Sequence, residues 1–260
     1  MRTIHTTQYV TPLREGGSLP AIVEGDDDGT YVLKFRGAGQ GPLALVAELI
    51  SGELARAIGL PVPEIVFAEL DPRMAKTEPD PEIRELLQRS AGLNLAIDYL
   101  PGSITFDPLI DGPSAETARL ASAIVWFDAL VTNVDRTARN TNLLMWHRRL
   151  WLIDHGASLY FHHQWDGAMT RSRSAFAPIR EHVLLRWAAA IREADAELAP
   201  KLTKEVVEAI VALIPGSWLD GSGFSGEEAH RNAYRDWLLS RLTGPREWVE
   251  EALRARALLL

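Results

Sequence analysis

At 260 residues the chain is long enough to bury a sizeable core, and 47% hydrophobic with 24% charged residues is ordinary for a globular protein. A formal net charge of −8 argues against a nucleic-acid surface, which needs clustered Lys and Arg, though not against a local basic pocket for a nucleotide. The absence of cysteine excludes disulfides and thiolate metal sites. There is no apolar signal core and no run of 18 or more apolar residues, so no membrane span and a cytoplasmic location are expected.

Strand signals fill residues 3–35. Residues 6–11 are β-rich, 14–18 (REGGS) make a turn and 20–24 continue extended. The acidic tip 25–29 (GDDDG) reads as a hairpin turn, because Asp and Gly both accept turn geometry. In 31–35 (YVLKF) strand alternation alone points Lys34 to solvent, whereas a lysine there can also grip nucleotide phosphates. The glycine loop 37–41 fails the dinucleotide fingerprint, which needs glycine where Pro42 stands, and no Gly-Lys pair offers a P-loop. It reads as a connector.

A helix is predicted over 42–58, with Pro42 in its first turn and Gly59 just past its end. Val46, Ile50, Leu54 and Ala57 mark its buried stripe. Glu53 borders that stripe and Glu48 lies nearly opposite, so periodicity does not decide which glutamate faces a cleft. An extended run follows over 60–69, then an exposed, Pro-rich and charged insertion over 71–85 that ends in a short helix. Residues 93–100 (LNLAIDYL) form an apolar strand leading to a hinge at Pro101-Gly102. The helix 115–131, carrying Trp126 and Phe127, delivers the chain to Asn133 and Asp135; Asp128 within it reads as structural. Two short strands are expected in 143–153 around a turn at 147–149. His155, His162 and His163 lack further spaced ligands and read as packing or surface residues rather than a metal site. Helices are predicted over 179–194, 203–213, 227–243 and 245–258, with a loop at 215–225. A strand-rich part followed by a helical part predicts an α+β, bilobal architecture: a small N-lobe over 1–100 with one main helix, a mostly helical C-lobe over 101–260, and a cleft between them.

Most of the chemistry lies in 128–156. Asp135 and Asn140 in NVDRTARN, with Asp154 in LIDHG beyond a hairpin, repeat the spacing of the protein-kinase loop H-R-D-x-x-x-x-N and its later D-F-G aspartate. The loop turns one carboxylate to the acceptor hydroxyl and an amide oxygen to a metal, and the hairpin returns a second carboxylate to the same ion.

The segments YVLKF, AELISGELARAIGLPVPE, NVDRTARNTNLL and LIDHG together resemble the HipA-like kinases, over about residues 31–160. That resemblance implies an atypical protein-kinase-like fold, ATP and Mg²⁺ as cofactors, and transfer of a γ-phosphoryl group to a hydroxyl, typically a Ser or Thr of a protein. It implies that Lys34 contacts the phosphates, that Asp135 is the catalytic base and that Asn140 and Asp154 bind Mg²⁺. The family register, a glutamate eleven residues before the glycine of GLPVP, selects Glu48 over Glu53 as partner of Lys34. Gly16, Gly17 and Ser18 of the glycine turn, and Asp98, Tyr99 and Leu100 at the hinge, are the other nucleotide-side candidates. Three features depart from the family's toxins. The loop EGGSLP lacks their S-x-x-Q-P-K pattern, the leading segment is short, and His155 stands at the D-F-G phenylalanine. The first two argue against Ser18 as a regulatory site and against an antitoxin partner. The expected partner is a protein or small-molecule hydroxyl acceptor. A small-molecule kinase and a catalytically silent nucleotide-binding module are the alternatives, and the joint presence of Lys34, Asp135, Asn140 and Asp154 argues against the second.

Overall fold

β-Branched and aromatic residues alternating between turn residues build the first part of the molecule. The computed structural model describes residues 1–13, 19–39, 41–76, 78–109, 115–219 and 223–259. Strands β1 (Thr3–Pro12), β2 (Ala21–Gly25) and β3 (Thr30–Lys34) pair antiparallel in succession. Strand β4 (Ile65–Leu70) pairs with β5 (Gly92–Asp98), which in turn pairs with β3. A parallel pairing of β4 with β1 closes the barrel in the order β1-β2-β3-β5-β4. The closing pairing runs over Thr3–His5 of β1 against Phe67–Glu69 of β4.

Alternation along the strands separates two apolar cores. Ile4, Val23, Leu33, Val66, Ala68 and Ala96 fill the smaller one, whereas Ile65 and Leu95 on the opposite faces of β4 and β5 join a larger core shared with the C-terminal part. Tyr31, Leu33 and Phe35 belong to the smaller core, so Lys34 emerges on the outer face of β3.

That outer face is where α1 (Pro42–Ala57) packs. A Cβ on Gly52 would come within 2.2 Å of Ile65 Cδ1, so a larger residue there would push the Ile65 side chain aside. Val46, Ile50 and Leu54 are buried as expected, while Ala57 is exposed. Every residue from Leu45 to Gly52 is buried, as befits a helix enclosed on all sides rather than one with a single apolar stripe.

The described residues of 71–85 are mostly exposed or half-buried and end in a short helix, as expected, but they are anchored by Ala75 and Ile83. A 3-10 turn at Pro72–Lys76 leads to α2 (Pro81–Arg89), whose N-cap Asp80 accepts the Glu82 and Ile83 N–H groups. Ile83, Leu86 and Leu87, at helical spacing, then enter the smaller core.

Beyond the barrel, α3 (Ala115–Leu130) buries Trp126 and Phe127. The expected hairpin is β7 (Leu143–Trp146) with β8 (Arg149–Leu152), and β6 (Ile104–Thr105) adds a third strand. His147 and Arg148 hold φ values of 49° and 62° between β7 and β8, the two positive angles a tight two-residue hairpin turn needs. A one-turn helix α4 (Ala168–Arg171) follows.

The helix expected over 179–194 breaks up. There are 3-10 turns at Ala177–Glu181 and Leu185–Trp187, and α5 (Ile191–Leu198) starts only afterwards. His182 is extended (φ −66°, ψ 127°) because its ring is drawn inward to Asp128, and that tertiary bond overrides local propensity. The remaining helices, α6 (Lys204–Val211), α7 (Glu227–Leu242) and α8 (Glu247–Ala257), match the expected segments apart from their ends. No described helix is long and apolar enough to cross a membrane.

Candidate active site

The loop after α3 is shaped by one buried carboxylate. Asp128 Oδ2 takes a hydrogen bond from Arg136 Nε at 2.5 Å and another from His182 Nε2 at 2.9 Å, while Oδ1 accepts from Asn133 Nδ2 at 3.1 Å. All four groups are buried. Burial opposes the charge on Asp128, but Arg136 and His182 outweigh it and hold the carboxyl well below its usual range. His182 Nδ1 accepts the Leu184 N–H at 3.0 Å, so its Nε2 carries the proton; burial keeps this ring neutral, its pKa lowered. Arg136 also donates to the carbonyls of Asn142 and Ile153, the latter at 3.3 Å, and Ile153 N–H donates to Asn142 O at 3.1 Å. A single guanidinium thereby ties the loop containing Asp135 to the strand end that presents Asp154.

Asp135 itself is held but not buried. Its N–H donates to Asn133 Oδ1 at 3.0 Å, and its Oδ2 accepts from Asn140 Nδ2 at 2.8 Å and Asn142 Nδ2 at 3.3 Å. With its nitrogen engaged on Asp135, the exposed Asn140 keeps its Oδ1 as an outward acceptor. Sequence reasoning missed Asn142, though its place two residues after Asn140 in RNTN was a usable signal. Thr132, Asn142, Asp154 and Leu159 all adopt positive φ, at 55°, 47°, 54° and 53°. Non-glycine residues rarely do so, and such strain persists only where surrounding bonds over-determine it.

Lys34, Glu48 and Asp154 come together across three elements. Lys34 Nζ lies 2.9 Å from Asp154 Oδ1 and 3.8 Å from Glu48 Oε2. Their side-chain exposures fall in a gradient, 2% for Glu48, 11% for Lys34 and 40% for Asp154, so the cluster leads from the core to the surface. Burial opposes the Lys34 charge, but Asp154 and then Glu48 raise its pKa above the usual lysine value. Burial likewise opposes ionisation of Glu48, and Lys34 with His155 pulls its pKa below the usual range. The His155 N–H donates to Glu48 Oε2 at 2.9 Å and the ring approaches Glu48 Oε1 at 3.5 Å, with Phe127 edge-on at 6.2 Å. Glu53 is elsewhere, 3.4 Å from Arg56.

The other candidates are placed differently. Gly16, Gly17 and Ser18 lie outside the described residues. At the hinge, Asp98 N–H donates to Glu64 O at 2.8 Å and Tyr99 N–H to Thr30 O at 3.0 Å, so neither has an amide free for a base. Asp98 is exposed and Leu100 buried. In the connector, Gly37 N–H donates to Ser90 Oγ at 3.1 Å. His162 is buried against Tyr234, its Nδ1 3.0 Å from the phenol oxygen, and joins no ligand cluster. Among the described residues no group of three or more His, Cys, Asp or Glu could cage a metal. The donors at Asp154, the open end of the charge gradient, and at exposed Asn140 are hard oxygens. They fit Mg²⁺, which takes one or two protein oxygens and completes its shell with substrate phosphates and water.

Arg241 of α7 is a further residue that sequence reasoning missed. Its buried guanidinium donates to the carbonyls of Ala129 and Leu130 at the end of α3, at 2.6 and 2.7 Å, and to Ser172 O at 2.7 Å. It lies 5.2 Å from the ring centroids of both Trp237 and Trp248. Burial lowers its pKa to about 9 while leaving it charged at neutral pH.

The barrel with its enclosed helix, the loop carrying Asp135 and the Lys34–Asp154 pair stand together in a chain whose sequence family makes it a phosphotransferase. The sequence model of the HipA-like kinases matches residues 7–243, and the chain belongs to that family. The crystal structure of a Helicobacter pylori proinflammatory kinase, CtkA, is similar in fold, with a TM-score of 0.58 at 14% identity over 99% of each chain. The Golgi casein kinase with Mn/ADP bound aligns at a TM-score of 0.49 and 11% identity, over 98% of this chain and 73% of that one. No curated protein matches the sequence.

Proposed function

We propose that the protein moves the γ-phosphoryl group of ATP to a Ser or Thr hydroxyl of a polypeptide. The observation that carries this reading is the Arg136 bridge, which fixes the loop of Asp135 and Asn140 against the segment of Asp154. In this reading the acceptor oxygen bonds to the γ-phosphorus as the bond to the bridging oxygen of ADP breaks, and Asp135 takes the hydroxyl proton. Asn140 Oδ1 and Asp154 would hold Mg²⁺, which when bound neutralises charge on the phosphates. Lys34 would turn its ammonium from Asp154 to the phosphates, with Glu48 keeping it charged and oriented. The glycine turn 16–18 and the hinge at Asp98, Tyr99 and Leu100 would flank the nucleotide. The barrel and the helical part support a division into an N-lobe, 1–100, and a C-lobe, 101–260, with ATP between them.

The test is transfer from γ-labelled ATP to a cell lysate, with a metabolite pool in parallel. Label in protein, lost with Asp135→Asn, is the expected result. Label confined to small molecules would overturn the polypeptide acceptor. Equal labelling by wild type and the Asp135→Asn variant would overturn the role of Asp135.

A further inference from the structure

Beside the Asp135 loop a cavity of about 570 Å³ opens to the surface. Val134, next to Asp135, forms one wall; Tyr160 and Phe161, beyond the Asp154 turn, form another; Phe176 and Trp237 continue the apolar lining. Val134 is 39% and Tyr160 63% exposed, so apolar surface reaches solvent next to the proposed base.

The charges in this cavity are of one sign. Arg171 and Arg241 line it, and among the described residues no Asp or Glu does, in a chain with 35 acidic and 27 basic side chains. Arg241 is buried; among the described residues its hydrogen bonds go to main-chain carbonyls, its other neighbours include the Trp237 and Trp248 rings, and no carboxylate lies within ion-pair distance of it. Arg171, exposed at the rim, bonds the carbonyls of Asp166 and Gln164 at 2.9 and 3.1 Å and likewise has no carboxylate partner among the described residues. Carbonyl dipoles orient a guanidinium without cancelling its charge, so the cavity keeps a positive field that favours an anion. Apolar walls with two such cations fit a polypeptide better than a small polar metabolite.

Resting on the polypeptide reading above, we propose that this cavity receives the acceptor chain and selects segments with an acidic side chain close to the reacting Ser or Thr. The apolar walls hold the segment, and Arg171 at the rim reads its carboxylate, with the fixed charge of Arg241 behind it.

The test is a positional peptide library around a central Ser or Thr, with Asp/Glu, neutral, Lys/Arg and phosphoserine arms, phosphorylated by the full chain. Peptides with Asp or Glu should show a KM about tenfold below neutral ones, the scale of one well-placed charge pair, with kcat little changed. Arg171→Glu should erase or reverse that preference, Arg171→Lys should preserve it, and neither should move the KM for ATP. Since Arg171 is exposed, these variants do not depend on repacking the core, whereas a change at buried Arg241 would. Labelling of all peptides without charge preference, or a preference that survives Arg171→Glu, overturns this inference and leaves the polypeptide reading intact. A preference for phosphoserine over Asp and Glu overturns the carboxylate as the group recognised. Transfer to metabolites with no peptide labelled overturns both.

Discussion

Two charge clusters lie on either side of the Arg136 bridge, and they are built to opposite ends. In the Asp128 cluster both carboxylate oxygens are engaged, by Asn133 on one side and by Arg136 and His182 on the other, everything is buried, and one nitrogen, Arg136 Nη2, is left without a hydrogen-bond partner among the described residues. In the Lys34 cluster the ammonium bonds Asp154 closely but stands 3.8 Å from Glu48, and buried Glu48 Oε1 and both His155 ring nitrogens have no hydrogen-bond partner among the described residues. A buried network whose members answer one another fixes a shape. Unanswered polar groups are costly and are tolerated where function needs them. The clusters differ in access: the first is closed to solvent, whereas the second opens to it at Asp154, so in the proposed function the first is scaffold and the second the working site, a distinction that mutation can break.

The largest effects should fall on activity at Asp135 and on stability at Asp128. Asp135→Asn keeps an oxygen for Asn140 and Asn142 but removes the base, so transfer should fall about 10²–10⁴-fold with the melting temperature unmoved. A rate equal to wild type would show that the loop has another base. Asp128→Ala leaves Arg136 buried without its carboxylate and should cost roughly 3–5 kcal/mol in urea unfolding. Loss of transfer at unchanged stability would instead place Asp128 in the chemistry and dissolve the contrast between the clusters.

How much of this was legible in the sequence depended on how local the cause was. The barrel strands, α1, the β7–β8 hairpin and the last three helices follow from alternation, helical period and turn residues close in sequence. The spacing of Asp135, Asn140 and Asp154 is local too. The failed helix over 179–194 had a distant cause: His182 is extended because Asp128, 54 residues earlier, binds its ring. Arg241 caps α3 from 111 and 112 residues away, and no pattern near it announces that task. For α1 the wheel put Glu48 opposite the apolar stripe, which looks like a solvent face; because the helix is enclosed on all sides, that face is buried and meets Lys34.

Smaller effects sharpen the comparison. Glu48→Ala should reduce transfer about 10–100-fold, the usual scale for a residue that orients a ligand-binding group. Lys34→Ala should cost at least as much, and the double variant little more than the worse single, because the two act as a unit. Additive losses would mean that Glu48 and Lys34 serve separate steps.

Acid should loosen the scaffold through its neutral histidines. Burial, with His163 and His230 nearby, lowers His162 to about 3, and burial lowers His182 as well. The unfolded chain takes up these protons near the ordinary pKa of about 6.5, whereas the folded chain takes them up only at lower pH, for His162 near about 3. Stability from these groups is thus full above that value and falls as the pH drops below it. Between pH 7.5 and 5 the share of His162 alone is about 2 kcal/mol, and His162→Gln should flatten the urea-midpoint profile by that much. The depressed carboxyl of Asp128 adds its own loss only at lower pH, below its unfolded value of about 3.9. A midpoint flat from pH 7.5 to 5 would mean that these rings take up protons without unfolding.

The smallest effect separates the two glutamates of α1. Five residues apart on a helix, Glu48 and Glu53 point about 140° away from each other and lie about 7.5 Å apart along the axis, so only one can reach Lys34. Glu53 faces Arg56 at 3.4 Å, three residues on, with both side chains partly exposed. Its pKa is raised because partial burial outweighs the pull of Arg56, so the pair holds its charge weakly. Solvent-screened helix pairs of this kind contribute only a few tenths of a kcal/mol. Glu53→Ala should therefore shift urea unfolding by less than about 0.5 kcal/mol and leave transfer at the wild-type rate, while Glu48→Ala lowers it about 10–100-fold in a protein that still folds. If Glu53→Ala alone abolished transfer with its fold intact, the carboxylate partner of Lys34 would have to be reassigned, and the helix would turn differently in the working enzyme.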